Sequence, residues 1–140
     1  LNNKAAILFS SGEQRRDYIY IEDVYKIVNK IILRNDSSYY TALNIGSGIT
    51  YSVNEIVDFL KKISKKDLRI IRKEANTYWD KYPDLFNKEL PLNKNLIDKE
   101  VLKYSEANIT KLKNILSFEP VTSIEKGLRE CYEYALRYYK

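Results

Sequence analysis

Arg15 and Arg16 stand side by side between the glycine-containing turn Ser10-Ser11-Gly12-Glu13 and the β-branched, aromatic run Asp17-Tyr18-Ile19-Tyr20-Ile21. A guanidinium fixed where a strand begins can clamp a phosphate through two parallel N–H donors, although on spacing alone such a pair reads as solvated surface charge. Gly46-Ser47-Gly48 offers a second anion-directed feature, since backbone N–H groups between a strand and a helix can cradle phosphate. The turn lacks the third glycine of a dinucleotide fingerprint and the lysine of a P-loop. Glycine also suits such a turn for steric reasons alone, which is the reading the spacing favours. With no histidine and one cysteine, Cys131, the chain has no Ser-His or Cys-His nucleophile pair, no internal disulfide and none of the usual zinc ligand sets. Catalysis would have to rest on carboxylate, lysine or tyrosine chemistry. A tyrosine-lysine acid/base pair needs Tyr-x-x-x-Lys, and none of the 13 tyrosines has a lysine four places on.

The elements that would carry these residues follow from periodicity. Residues 5–9 form an apolar run that suits a strand, and residues 17–21 a second one, so a hairpin or two neighbouring strands is expected. From Glu22 the spacing changes: Val24, Ile27, Val28, Ile31 and Ile32 recur at three and four, which predicts an amphipathic helix with Glu22 and Asp23 at its positive end. Residues 40–45 read as a strand running into the Gly-Ser-Gly turn. Ser52 and Glu55 match a capping box, with Val53, Ile56, Val57, Leu60 and Ile63 as the buried stripe behind it. Residues 68–72 predict another strand. Residues 73–104 mix Tyr78, Trp79, Tyr82 and Phe86 with charges, Pro83 and Pro91, which fits an ordered loop with a short helix. Two helices close the chain. One is capped by Asn108, with Ile109, Leu112, Ile115 and Leu116 inward; the other opens with a Thr122–Glu125 box, and Ile124, Leu128, Cys131, Tyr132, Ala135, Leu136 and Tyr139 form its apolar stripe.

At 140 residues and 16.6 kDa, with no internal repeat and only 4 glycines and 3 prolines, the chain reads as one unit, residues 1–140. Its net charge of +5 comes from 31% charged residues of both signs, well short of the balance of a dedicated nucleic-acid binder. Tyrosines interleaved with basic residues could serve as stacking platforms for bases. Tyr132 and Tyr139 fall on a helical apolar stripe, however, and no RNA-binding aromatic signature is present, so nucleic acid is not the expected partner. No apolar run approaches a membrane span and no signal segment opens the chain, which leads to the expectation of a soluble, cytoplasmic protein. The absence of methionine and the start at Leu1 suggest a fragment cut from a longer chain.

The motifs also combine. Gly12-Glu13-Gln14-Arg15-Arg16-Asp17-Tyr18-Ile19-Tyr20-Ile21-Glu22-Asp23-Val24, Asn44-Ile45-Gly46-Ser47-Gly48, Leu116-Ser117-Phe118-Glu119-Pro120 and Ser123-Ile124-Glu125-Lys126-Gly127-Leu128 occur in this order. Together they closely resemble the C-terminal portion of NAD-dependent nucleotide-sugar epimerases and dehydratases, the extended short-chain dehydrogenase/reductases, over about residues 7–72 and 104–139. The resemblance implies an α/β fold, α+β when isolated: the C-terminal part of an extended Rossmann-type epimerase, with short strands and about four amphipathic helices. It implies that Arg16 of the Arg-Asp-Tyr block, with Tyr18 beside it, contacts a nucleoside-diphosphate sugar, Arg15 being the second x of Gly-x-Gln-x-Arg-Asp. The family's second arginine opens an Arg-x-Gly-Asp stretch not reproduced here; Arg72, by strand order, or Lys99, by counting back from the Asn108 helix, could replace it. Asn108 stands where the family commonly has aspartate, and Leu116-Ser117-Phe118 where it has Leu-Gly-Trp.

The family's Gly-x-x-Gly-x-x-Gly turn for NAD or NADP, its Tyr-x-x-x-Lys and the accompanying Ser/Thr all lie upstream of the matched region. The resemblance therefore implies a substrate-binding domain or fragment with no N-terminal NAD-binding domain, no catalytic residue and no cofactor of its own, inactive alone. Residues 73–104 would help to read the sugar, with Tyr78, Trp79 or Phe86 facing the base or ring, or else pinning the loop by packing. A piece severed from its dinucleotide domain would expose apolar surface and could pair as a homodimer. The rival reading is a non-catalytic interaction module of the same fold that binds a protein or nucleic acid.

Overall fold

The computed structural model describes residues 5–34, 41–75, 80–86, 99 and 104–139. Strand β1 (Ala6–Phe9) pairs in parallel with β4 (Ile70–Lys73), Ala6 opposite Ile70 and Phe9 opposite Lys73. Strand β2 (Arg15–Asp17) pairs antiparallel with β3 (Thr50–Ser52), Arg15 opposite Ser52 and Asp17 opposite Thr50. The hairpin expected between the first two strands is thus replaced by two longer-range pairings. The turn between them explains why: Ser10 at φ 91° and Gly12 at φ 80° swing the chain aside, and the Ser10 N–H extends the β1–β4 ladder by donating to the Lys73 carbonyl at 2.8 Å. β2 also has a neighbour on its other edge. A parallel bridge joins Arg16 to Ser105, with the Asp17 N–H donating to the Ser105 carbonyl at 3.1 Å and the Ser105 N–H to the Arg15 carbonyl at 3.2 Å.

The helices follow the apolar spacing closely. They are α1 (Ile21–Ile32), α2 (Val53–Ser64), α3 (Thr110–Leu116) and α4 (Ile124–Tyr138). The Ser52–Glu55 box forms in full: the serine hydroxyl accepts the Glu55 N–H at 3.1 Å and the glutamate accepts the Ser52 N–H at 2.7 Å. Such a reciprocal cap satisfies two backbone donors that the first turn leaves orphaned. At α4 the cap falls one residue later than the Thr122–Glu125 box predicts. Ser123 accepts the Lys126 N–H at 3.3 Å, while Thr122 is held by Asp23 of α1 through its N–H at 2.9 Å and through its side chain. Asn108 accepts the Thr110 N–H at 3.0 Å from just outside α3, whose N-cap is Ile109.

The core sits where α1 crosses α3. Ile27, Ile109, Leu112 and Leu116 are buried there, with Ile19, Leu43, Ala107, Ile115 and Phe118 packed around them. Each buried Ile or Leu contributes about 1.5–3 kcal/mol, so this small cluster is the main apolar anchor of the described residues. α2 packs against α4 through a separate contact that buries Val57.

Several sequence expectations shift. Pairing in the 17–21 run stops at Asp17, because Tyr20 already caps α1 and its carbonyl accepts the Asp23 and Val24 N–H groups. Residues 41–45 form no strand; the ladder partner of β2 comes from Thr50–Ser52 instead. The apolar stripe of α4 is only partly covered, with Cys131, Leu136 and Tyr139 exposed. A 3-10 turn spans Pro83–Phe86, while Tyr78, Trp79 and Pro91 lie outside the described residues, as does the Phe86 side chain. Among the described residues no helix is long and apolar enough to cross a membrane.

Candidate functional site

Side chains alternate across a strand, so Arg15 and Asp17 share one face of β2 and Arg16 has the other. Arg15 is consumed by the fold. Its Nε donates to Thr50 Oγ1 at 3.2 Å, Nη2 to the Thr50 carbonyl at 2.7 Å and Nη1 to Glu55 Oε2 at 2.8 Å. Glu55 is thereby shared between the cap of α2 and Arg15. Mainly through the Ser52 N–H, with the Ser52 hydroxyl and Arg15 adding to it against a contribution from burial, its carboxyl is held below the usual range.

Asp17 meets the Gly-Ser-Gly turn. Its Oδ1 accepts the Ser47 N–H and the Ser47 hydroxyl, both at 2.7 Å; its Oδ2 accepts the Gly48 N–H at 2.9 Å and the Ala107 N–H at 3.2 Å. Burial alone would raise the Asp17 carboxyl, but the Ser47 hydroxyl and these three backbone donors outweigh it and hold the group below its ordinary value. The turn is therefore an anion nest, and its anion belongs to the chain itself. Both glycines are required sterically. A Cβ on Gly46 would lie 2.4 Å from the Ala107 Cβ and 2.7 Å from Asp17 Oδ2, and Gly48 sits at φ +72°.

Arg16 is half-buried on the opposite face, between the Tyr51 position of β3 and the Ser105 bridge, with Nη1 donating to the Arg15 carbonyl at 2.8 Å. Tyr18 is also half-buried, but it turns towards α4. There it lines a cleft of about 160 Å³ with Tyr20, Ser123, Gly127, Leu128 and Cys131. Arg72 stands in β4 and reaches the turn between β1 and β2, its guanidinium donating to the Ser11 carbonyl at 2.5 Å and to Asn54 Oδ1 at 2.8 Å. Lys99 is exposed. Of the four candidate contacts, Arg16 alone sits in a strand with backbone partners on both edges. The 104–107 segment flanks it through the Ser105 bridge, and sequence reasoning overlooked both that segment and Asp17. The signal was present in two places, an acidic residue after Arg16 and a Gly-Ser-Gly turn seeking an anion, but nothing local ties one to the other.

A groove of about 520 Å³ opens beside the nest, lined by Ser47, Gly48, Glu106, Asn108, Thr110 and Lys113. At its rim Lys113 pairs with Glu119.

Comparison with known proteins places this geometry. The family model described as "NAD dependent epimerase/dehydratase family" matches residues 1–46. A UDP-glucuronate 4-epimerase of Thermodesulfobacterium geofontis is 31% identical over 123 residues, covering 87% of this chain and 30% of that protein. A putative UDP-glucose 4-epimerase of Methanocaldococcus jannaschii is 39% identical over 61 residues, 44% of this chain and 19% of that one. Among solved structures, the UDP-glucose 4-epimerase of Thermotoga maritima with UDP-glucose matches with a TM-score of 0.72 and 26% identity, over 99% of this chain and 37% of its own. The UDP-glucuronic acid 4-epimerase of Bacillus cereus with UDP-glucuronic acid and NAD shares the fold, with a TM-score of 0.74 at 23% identity over 98% and 37%. The chain thus spans 30% and 19% of the length of these two curated relatives and 37% of each of these solved chains.

Proposed function

We propose, from the premise that this chain belongs to the NAD-dependent epimerase/dehydratase family, that it is the sugar-nucleotide-binding C-terminal region of a nucleoside-diphosphate-sugar epimerase or dehydratase. The observation that carries the reading is Arg16, half-buried in a strand with backbone partners on both edges, while neighbouring Arg15 is spent on Thr50 and Glu55. A guanidinium in a fixed frame loses little entropy when it takes a diphosphate oxygen pair, which is the recognition a sugar nucleotide requires. UDP-sugars occupy the related T. maritima and B. cereus enzymes, which supports this ligand class.

NAD accompanies the B. cereus relative. The residues here do not fit its phosphates: the Gly46–Gly48 turn, which the sequence offers for them, has its N–H donors directed onto Asp17. In this proposal the dinucleotide and the acid/base tyrosine belong to the remainder of a longer enzyme, and this region, inactive alone, supplies substrate grip in the cytoplasm. Arg72 is tied to the Ser11 carbonyl and to Asn54 of α2, whereas Lys99, the other replacement for the second cation, is exposed.

Calorimetric titration of the chain with UDP-glucose and UDP-glucuronate, against UMP and free glucose, tests the reading. We expect weak binding of the UDP-sugars and an Arg16→Ala variant weaker by roughly 10- to 100-fold, the loss of a charge-assisted phosphate contact of about 1.5–3 kcal/mol. No heat with either UDP-sugar, or an unchanged Arg16→Ala, refutes it.

A further inference from the structure

We infer that Asp17 is a positioning residue of the sugar-nucleotide site: by gripping the Gly46–Gly48 turn and Ala107 at once, it locks the 104–107 segment against β2 and so fixes the wall beside Arg16. The inference rests on the function proposed above for Arg16. Its argument is geometric. The β2 edge that faces Ser105 is held by two backbone hydrogen bonds, at 3.1 and 3.2 Å, and this bridge is one residue long. An isolated bridge of that kind has little cooperativity of its own. What fastens it is the Asp17 carboxylate, whose Oδ2 holds the Ala107 N–H two residues beyond the bridge while Oδ1 holds Ser47 on a different loop. One side chain therefore ties together three segments that are remote in sequence: residues 15–17, 46–48 and 105–107. Arg16 lies directly before it, on the opposite face, so any slack in the Ser105 bridge reaches Arg16 through its own backbone.

The geometry also accounts for the residue types. Gly46 has no room for a side chain because Asp17 and Ala107 already fill the space where its Cβ would stand, at 2.7 and 2.4 Å. An amide at position 17 would be the wrong replacement. Its oxygen could keep one pair of donors, but its NH2 would face the other pair, leaving N–H opposite N–H.

The test compares Asp17→Asn with Asp23→Asn, a buried carboxylate that also accepts a backbone N–H but anchors α1 to the start of α4, away from Arg16. Amide hydrogen exchange is read at residue 17 and Ser105, and UDP-glucuronate affinity is read by calorimetry on the folded proteins. In Asp17→Asn we expect loss of protection at both bridge amides and a drop in affinity on the order of 10-fold, the scale of a small displacement at a binding group. Asp23→Asn should lower the melting temperature while keeping both the bridge protection and the affinity. Unchanged bridge protection in Asp17→Asn overturns the inference, as does an equal affinity loss in the two variants. If the wild-type chain binds no UDP-sugar, the functional reading fails, and the exchange arm still decides whether Asp17 grips the segment. Should Asp17→Asn not fold, Ser47→Ala removes a single donor to the same carboxylate; it is expected to loosen the same two amides by a smaller factor, and full retention there overturns the inference equally.

Discussion

Replacing Asp23 by alanine isolates one of the contacts that bind distant parts of this chain together. The carboxylate is fully buried, at 0% exposure; it accepts the Thr122 N–H at 2.9 Å and the Lys26 ammonium at 3.2 Å. Burial by itself favours the protonated form, yet the Thr122 hydrogen bonds and Lys26 hold the group below its ordinary value, so the folded state prefers the charge and the contact is net favourable. Alanine leaves the Thr122 N–H without its acceptor, at a cost of about 1–3 kcal/mol. Lys26 is half-exposed and returns to water, so its share is roughly 0–1 kcal/mol. The sum, about 1–4 kcal/mol, is a large part of the roughly 5–15 kcal/mol that holds a domain folded. Because Thr122 directly precedes the cap of α4, the start of that helix should loosen first. Urea denaturation followed by circular dichroism reads the effect: with a slope of about 1–3 kcal/mol per molar, the midpoint should fall by on the order of 1–2 M. Asp23→Asn keeps an acceptor oxygen and should lose about half as much. A loss below about 1 kcal/mol in Asp23→Ala, or an asparagine variant no better than alanine, would refute the reasoning.

Two further outcomes follow from the same carboxylates and glycines. Gly46→Ala forces a Cβ to within 2.4 Å of the Ala107 Cβ and should cost about 1–3 kcal/mol, seen as a lower melting temperature; an unchanged value would show that the nest has slack. Asp17, Asp23 and Glu55 all ionise more readily in the folded chain than their ordinary values of 3.8 and 4.5. Their stabilisation is therefore full above those values and is lost as pH falls through them towards the folded values, so the urea midpoint should be flat from about pH 7 to 5 and then decline. Asp23→Asn should decline less steeply over that acid range, and an identical slope would count against the assignment.

Helices were legible where spacing alone determines them. Val24, Ile27 and Ile31 announce α1, and Ser52 with Glu55 announces α2, because capping and amphipathicity are local properties. Strand partners were not legible, because pairing depends on residues far along the chain. β1 and β2 adjoin in sequence, yet each pairs with a strand beyond α1, and residues 18–20 and 41–45 carry strand-like side chains without a ladder to match. Thr122 illustrates the same limit at a helix end. As the first residue of a Thr-x-x-Glu sequence it is the natural cap, but a buried carboxylate 99 positions away engages both its N–H and its side chain, and Ser123 caps the helix instead. At the candidate site the motif pointed to Arg16, while the side chain that organises its surroundings, Asp17, read only as its neighbour.

That neighbour raises an electrostatic problem for the proposed role of Arg16, because a carboxylate next to an arginine that takes an anion ought to repel the ligand. The strand pleat supplies half of the answer by directing Asp17 to the face opposite Arg16. The nest supplies the rest. Three backbone N–H groups and a hydroxyl converge on the carboxylate, so their partial positive charges offset its field where it is generated. Arg15 is balanced in the same way by Glu55 and the Thr50 carbonyl. Both neighbours are thus balanced within one face of the strand, while Arg16 projects from the other. A basic pair followed by an acid thus resolves into two scaffold contacts on one face and, in the function proposed above, one binding contact on the other, a division set by side-chain alternation rather than by residue type.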